Sequence, residues 1–359
     1  MQHDTYIRRC LDLAEKGSGY TAPNPLVGAV LVYDNRIIGE GYHAHYGERH
    51  AEVACFENVA SSDKIFIPES TLYVSLEPCA HQGKTPPCAD RIVQEGIKNV
   101  VVCQADPFAA VNGRGFEILR SNGVTVTENI LAEEGRWQNR RFLCFHEKKR
   151  PYITLKWAET TQGFFAPLNR SRWQISNKQT QQLTHKWRTE ESAIMVGTRT
   201  ALHDNPQLNA RYWNGKQPLR IVLDRALTLP ESHHLLDGSI PTWIINERKE
   251  KVLDKTQYIQ LSFDENLLTA LLSLLYQKNI LSLLVEGGAQ LIQSLIDAAL
   301  WDEARIFSAP SELQEGIVAP SLRQSIEIAN HQIGNNSLNI FCHSQNSYNI
   351  PHSTRNKNK

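Results

Sequence analysis

The chain has 359 residues, of which 41% are hydrophobic, and its 38 lysines and arginines are balanced by 38 aspartates and glutamates. Such a length exceeds most single hydrophobic cores, so two domains are expected. Zero net charge argues against a nucleic-acid coat or a polybasic membrane binder, and no run approaches the eighteen apolar residues of a membrane span.

The start, MQHDTYIRRCLDLAEKG, spreads its charges through the segment and lacks the apolar stretch of a secretory signal. Its YIRRCLDLAEKG portion suits an amphipathic helix closed by Gly17. GAVLVYDNRIIGEGYH reads as two strands joined at an Asp34-Asn35 turn. HAEVACFENVASS has helical composition, STLYVSLEP is a strand, and ADRIVQEG and KNVVVCQ follow as helix and strand. FEILRSNG and VTVTEN repeat the alternation, which predicts a mixed sheet covered by helices. FHEKKRP, residues 145–151, is charged and aperiodic, and the domain boundary is placed there, giving a first domain over 1–146 and a second over 151–343. In the second domain PYITLKWAE, SAIMVG, LRIVLD, PTWIIN, LSLLVEGG and EARIFSAP read as strands, with helices at TQQLTHKWRTEE and AQLIQSLIDAALW. Residues 344–359 are polar and end basic, and are expected to be disordered.

LEPCAHQGKTPPCADR, residues 76–91, holds two Pro-Cys pairs. Its cysteines could form a disulfide, pack as small hydrophobes or ligate a metal. Seven cysteines in a chain of this size with no signal point to a reducing cytoplasm, which weakens the disulfide. Upstream, RHAEVACFENVA sets His50 and Glu52 two residues apart at a helix start. Alone, that pair is a weak signal, since a helical His beside a Glu is usually a solvated face. With Cys79 and Cys88, however, His50 offers one imidazole and two thiolates, a three-ligand set with a fourth zinc position open to water. Glu52 is then placed to carry that water's proton, as in the H-x-E…P-C pattern of zinc deaminases, although the cysteines here stand wider apart than in the short form. Cys10, Cys55, Cys103 and Cys144 lack partners at ligand spacing and are expected in the core.

NPLVGAVLV, GEGYHAHYGERHAEV, YVSLEPCAHQGKTPPCADRI and DPFAAVNGRGF together resemble the bifunctional deaminase/reductase family of riboflavin biosynthesis. The resemblance implies a cytidine-deaminase-like three-layer α/β domain, with His50, Cys79 and Cys88 as zinc ligands and Glu52 as proton shuttle. It implies that Asn24 holds the pyrimidine's polar edge, and that His81, Lys84 and Asp106 face the ribose phosphate or ring. The family often has Asn where this chain has Phe108, whose side chain neither donates nor accepts a hydrogen bond. RPYITLKWAE, HKWRTEESAIMVGTRTALHDNPQLNAR, PLRIVLD and LLVEGG continue the resemblance into a dihydrofolate-reductase-like domain that uses NADPH. There Ala158, Gln174, Thr200, Asp204 and the stretch from Gly288 fall on cofactor positions. Arg172, Arg188, Leu208, Arg211 and Glu286 fall on positions for the phosphoribosyl substrate. Arg225, just after a strand, is read from its charge and placement as a reader of the cofactor's 2′-phosphate. Two departures stand in this half: Thr161-Gln162-Gly163 replaces Leu-Asp-Gly, and Trp173 sits one place early.

The implied reactions are zinc-dependent deamination of 2,5-diamino-6-(5-phosphoribosylamino)pyrimidin-4(3H)-one, then NADPH reduction of the ribosyl group. The expected partner is thus a small phosphoribosyl-pyrimidine, with no nucleic acid and no membrane; the family is often oligomeric. The rival reading is a zinc deaminase of another nucleotide or of tRNA, with a decayed, nucleotide-binding second domain.

Overall fold

A computed structural model of the chain describes residues 2–80, 86–107, 113–169, 173, 175–310, 313–346 and 350–351. Two compact units emerge, one built mainly from residues 1–148 and the other from residues 149–347. All seven cysteines are free. Among the described residues no helix is long and apolar enough to cross a membrane.

The first unit opens with α1 (Gln2–Glu15), whose buried Ile7, Cys10 and Leu13 recur at helical spacing. β1 (Gly28–Tyr33) and β2 (Arg36–Tyr42) form the expected hairpin. Asp34 and Asn35 both take positive φ, 45° and 61°, which a two-residue turn of the right twist requires. α2 (Ala51–Glu57), β3 (Thr71–Val74), α3 (Cys88–Gln94), β4 (Asn99–Val102), α4 (Arg114–Ser121) and β5 (Thr125–Thr127) follow. The sheet runs β2-β1-β3-β4-β5, antiparallel around β1 and parallel from β3 to β5. Alternation along the strands feeds two cores. Leu31, Leu72, Val74, Val100 and Val102 pack beneath the helices carrying Phe56, Ile92 and Phe116. On the opposite face Val30, Tyr73 and Val101 meet α1. The unit is therefore three layers. α5 (Ala132–Gln138) and α6 (Arg140–Lys148) complete it, and α6 runs into the segment read from sequence as an aperiodic boundary. Its buried residues, Phe142 to Phe145, stand together ahead of a polar last turn, so that turn alone looks like linker.

The second unit has β6 (Tyr152–Thr160), β7 (Phe164–Ala166), α7 (Lys178–Glu190), β8 (Ala193–Gly197), α8 (Thr198–Asp204) and β9 (Leu219–Leu223). β10 (Thr242–Asn246), β11 (Lys251–Leu253), β12 (Thr256–Gln260), α9 (Leu267–Gln277), β13 (Ser282–Val285) and α10 (Ala289–Asp297) come next. β14 (Glu303–Ala309), β15 (Ile317–Val318), β16 (Ser325–Ile333) and β17 (Asn336–His343) close it. Ten strands form one sheet in the order β11-β12-β10-β9-β8-β13-β6-β14-β17-β16, parallel from β12 to β14 with antiparallel edges. Both faces are covered, one by α9 and α10 and the other by Trp187 of α7 and Ala201 of α8. Parallel strands buried on two faces are continuous apolar runs, which is why LSLLV and SAIMV were legible. Most of the tail expected to be disordered lies outside the described residues; Ile350, within them, is buried.

Candidate metal centre and nucleotide cavity

In the first unit the site gathers at the C-terminal end of β3 and the starts of α2 and α3. His50 is the N-cap of α2, Cys88 is the first residue of α3, and Cys79 lies in the loop after β3. The loop is pinned by the Ala89 N–H donating to the Cys79 carbonyl at 3.2 Å and the Cys88 N–H to the Cys79 sulfur at 3.3 Å. His50 Nδ1 lies 3.5 Å from Cys79 Sγ and 3.3 Å from Cys88 Sγ, and all three donor atoms are within 4.8 Å of one another. One imidazole nitrogen and two sulfurs converging this closely fit a tetrahedral zinc with its fourth position open. The hydrogen bond from the Cys88 thiol, with the His50 ring beside it, pulls Cys79 down to about 4, so one thiolate is ready at neutral pH. Cys88, facing that thiolate, is pushed up.

Glu52 sits in the first turn of α2 at 3% exposure, and burial raises its pKa, with the Cys79 sulfur adding to the rise. Gly41 allows α2 to lie this close: a Cβ there would come within 2.3 Å of the Cys55 nitrogen and 2.4 Å of the Ala51 carbonyl. Asn24 Nδ2 is 3.1 Å from His43 Nε2, while His43 Nδ1 is 3.1 Å from the Arg49 carbonyl. A carbonyl can only accept, so His43 carries its hydrogen on Nδ1 and accepts the Asn24 amide on Nε2. Burial holds His43 neutral. The contact by which His43 orients Asn24 is visible in the fold alone. Asp106 is buried, and its N–H donates to Glu77 Oε2 at 3.2 Å. Glu77 also accepts from the Gly113 and Gly115 N–H groups, tying this loop to the cysteine loop. His81, Lys84 and Phe108 lie outside the described residues.

In the second unit a cavity of about 1590 Å³ opens along the sheet. Its wall includes Ala158, Thr200, Asp204, Leu208 and Gly288, together with Arg188, Arg211 and Glu286. Arg188 grips Glu286 with two parallel bonds of 2.7 and 2.8 Å and donates a third, of 2.8 Å, to the Asn209 carbonyl. Burial alone would raise Glu286, but the Arg188 and Lys156 cations outweigh it and hold the carboxylate at about 2. Lys156 Nζ lies 3.8 Å from Glu286, on the same wall. It was missed from sequence, although a lysine inside the apolar strand YITLKWAE was a signal. His185 was missed too: it precedes Arg188 by one helical turn, faces the same cavity, and is brought down to about 4 by burial and by Arg188 and Arg211. At the start of α10, Gly288 takes φ 72° and a Cβ there would stand 3.1 Å from Thr200 Oγ1, leaving a bare backbone turn facing the cavity. That glycine turn, with a roomy cleft that mixes polar and apolar lining beside it, fits a dinucleotide's phosphates. Trp173 lines the cavity, whereas Arg172 and Gln174 lie outside the described residues. Arg225 is not part of this wall; it pairs with Glu247 at 2.7 Å.

Comparison with known proteins gives the two sites their lineage. Residues 1–104 match the cytidine and deoxycytidylate deaminase zinc-binding region, and residues 151–326 match the RibD C-terminal domain. A riboflavin biosynthesis protein RibD from Aquifex aeolicus is 38% identical over 92% of this chain and 94% of its own length. The chain belongs to the RibD family. The RibD of Escherichia coli is 33% identical over 87% of this chain and 89% of its own. A diaminohydroxyphosphoribosylaminopyrimidine deaminase/5-amino-6-(5-phosphoribosylamino)uracil reductase from Thermotoga maritima superposes with a TM-score of 0.88 at 32% identity, covering 95% of this chain and 99% of that one. An Acinetobacter baumannii RibD superposes at 0.86 with 29% identity, over 95% and 98%. Like other RibD proteins, this chain is a bifunctional enzyme of riboflavin biosynthesis, a zinc-binding deaminase joined to an NADPH-dependent reductase. A decayed second half is not favoured.

Proposed function

We propose that the chain deaminates 2,5-diamino-6-(5-phosphoribosylamino)pyrimidin-4(3H)-one at His50, Cys79, Cys88 and Glu52, then reduces the product's ribosyl group in the second unit. The observation that carries the reading is the convergence of His50 Nδ1 and two cysteine sulfurs beside a buried carboxyl. His50, Cys79 and Cys88 hold the zinc, which when bound lowers the pKa of water to about 7. The Glu52 carboxylate takes a proton from the attacking water and returns it to the departing amine, so ammonia leaves neutral; a carboxyl raised by burial is suited to both transfers. Asn24, its NH₂ committed to His43, turns its Oδ1 toward the ring N–H of the pyrimidine.

In the second unit Ala158, Thr200, Asp204 and the Gly288 turn hold NADPH, which supplies a hydride for C1′. Leu208, Arg211, Arg188 and Glu286 hold the phosphoribosyl group. Ring opening needs a proton on the ring oxygen, and Lys156, whose charged form is disfavoured by burial, is the ammonium on that wall able to give it. The domain limits read from sequence, 1–146 and 151–343, are kept as those of the two activities. The free cysteines are in keeping with a cytoplasmic enzyme. Purified chain with zinc, NADPH and this substrate releases ammonia and oxidises NADPH. Neither product, with a folded and zinc-loaded chain, overturns the reading.

A further inference from the structure

A buried arginine is tolerated only where its N–H groups find acceptors. Arg220 of β9, at 1% exposure, meets that condition. Nε donates to Thr242 Oγ1 at 2.8 Å, and Nη2 to Asp237 Oδ1 at 3.0 Å and the Ile240 carbonyl at 3.1 Å. Nη1 reaches the carbonyls of His234 at 3.0 Å and Gln207 at 3.3 Å. One partner of the five is a carboxylate, and the rest are loop carbonyls and a hydroxyl. The side chain thus acts as a clamp on loops more than as half of an ion pair.

Gln207 belongs to the segment 205–211, of which Asn205 to Leu208 and Arg211 line part of the cavity. Within it Asn205 and Leu208 take positive φ, 40° and 51°, a conformation that leucine keeps only when its surroundings hold it. The holding contacts flank Leu208: Arg220 takes the carbonyl before it, and Arg188 takes the carbonyl of Asn209 after it. A second route runs through His234, whose carbonyl is held by Arg220 and whose N–H donates to Asn205 Oδ1 at 2.9 Å.

We infer that Arg220 is a positioning residue for the reductase substrate, setting the backbone at Gln207–Leu208 so that Leu208 and Arg211 face the phosphoribosyl group. The inference rests on the reading of those two residues as substrate-facing. In the full chain, Arg220→Met raises KM for the deaminated phosphoribosyl substrate by about tenfold or more, while the NADPH dissociation constant stays within about twofold. Arg220→Lys, keeping the charge but not the planar donors, falls between. Thr242→Val, which frees one anchor and leaves the cation, shifts KM by about two- to threefold in the same direction. Unchanged KM in Arg220→Met, or NADPH affinity lost in step with KM in Arg220→Lys, overturns the inference. Should the Met variant fail to fold, the Lys and Thr242→Val variants decide by the same measures. Arg211→Met separates the two levels. If it leaves KM unchanged, the substrate reading itself is wrong; if it raises KM while Arg220→Met does not, only the positioning role is wrong.

Discussion

A carboxyl at 3% exposure, as Glu52 is, binds a proton more readily than one in water, and the start of α2 sets Glu52 two residues from His50 of the candidate metal centre. Glu52→Gln keeps the shape and removes the proton carrier. Ammonia release should fall by about a hundredfold or more, with zinc content by elemental analysis and NADPH oxidation on the deaminated substrate unchanged. Retained deamination would remove Glu52 from the chemistry. Glu286 gives a prediction in pH. Its folded pKa is held near 2 by Arg188 and Lys156, below the unfolded carboxyl value of 4.5. The folded state thus gains stability that is full above about pH 4.5 and is lost as pH falls toward 2. Denaturant unfolding of Glu286→Gln should show a deficit against the parent chain at pH 7 that narrows at pH 3. An equal deficit at both values would mean the cations are not what stabilises this carboxylate.

At the scale of elements, helix α2 carries Glu52 with His50 as its N-cap, and its seat on β2 depends on a missing side chain. A Cβ at Gly41 would strike the backbone at Cys55 and Ala51, so Gly41→Ala must lift α2. Overpacking of this kind costs about 1–3 kcal/mol, and the expected outcome is a lower melting temperature with loss of ammonia release. Unaltered deamination would show that α2 has slack the packing does not suggest. Elements of this unit were legible where composition alternates sharply, as in the Asp34-Asn35 hairpin. The edge strand β16 was not: it buries little beyond Ile328, and from Ala329 to Gln332 it shows no apolar alternation by which a half-buried strand is read. α6 hid for a related reason, its apolar residues forming a block instead of a stripe.

For the whole molecule, the sequence carried the metal centre further than the cavity. His50, Cys79 and Cys88 announce themselves because few other tasks need an imidazole and two prolyl-cysteines in that order. The cavity is assembled from residues spread between Lys156 and Ile317, and its charges take meaning only from three-dimensional neighbours. Lys156 and His185 were therefore passed over, and Arg225, chosen for charge and position, turned out to pair with Glu247. Arg220 was quoted within a family motif without a role, since nothing in PLRIVLD tells that its guanidinium ends on five acceptors. The two units each have their own cores and their own chemistry, so their activities should respond separately to metal. The decisive measurement is a paired assay before and after zinc removal by a chelator, with ammonia and NADPH followed together on each unit's own substrate. Ammonia release should vanish and return with added zinc, while NADPH oxidation on the deaminated substrate continues at its original rate. Deamination that survives complete removal of the metal would contradict the account at its centre.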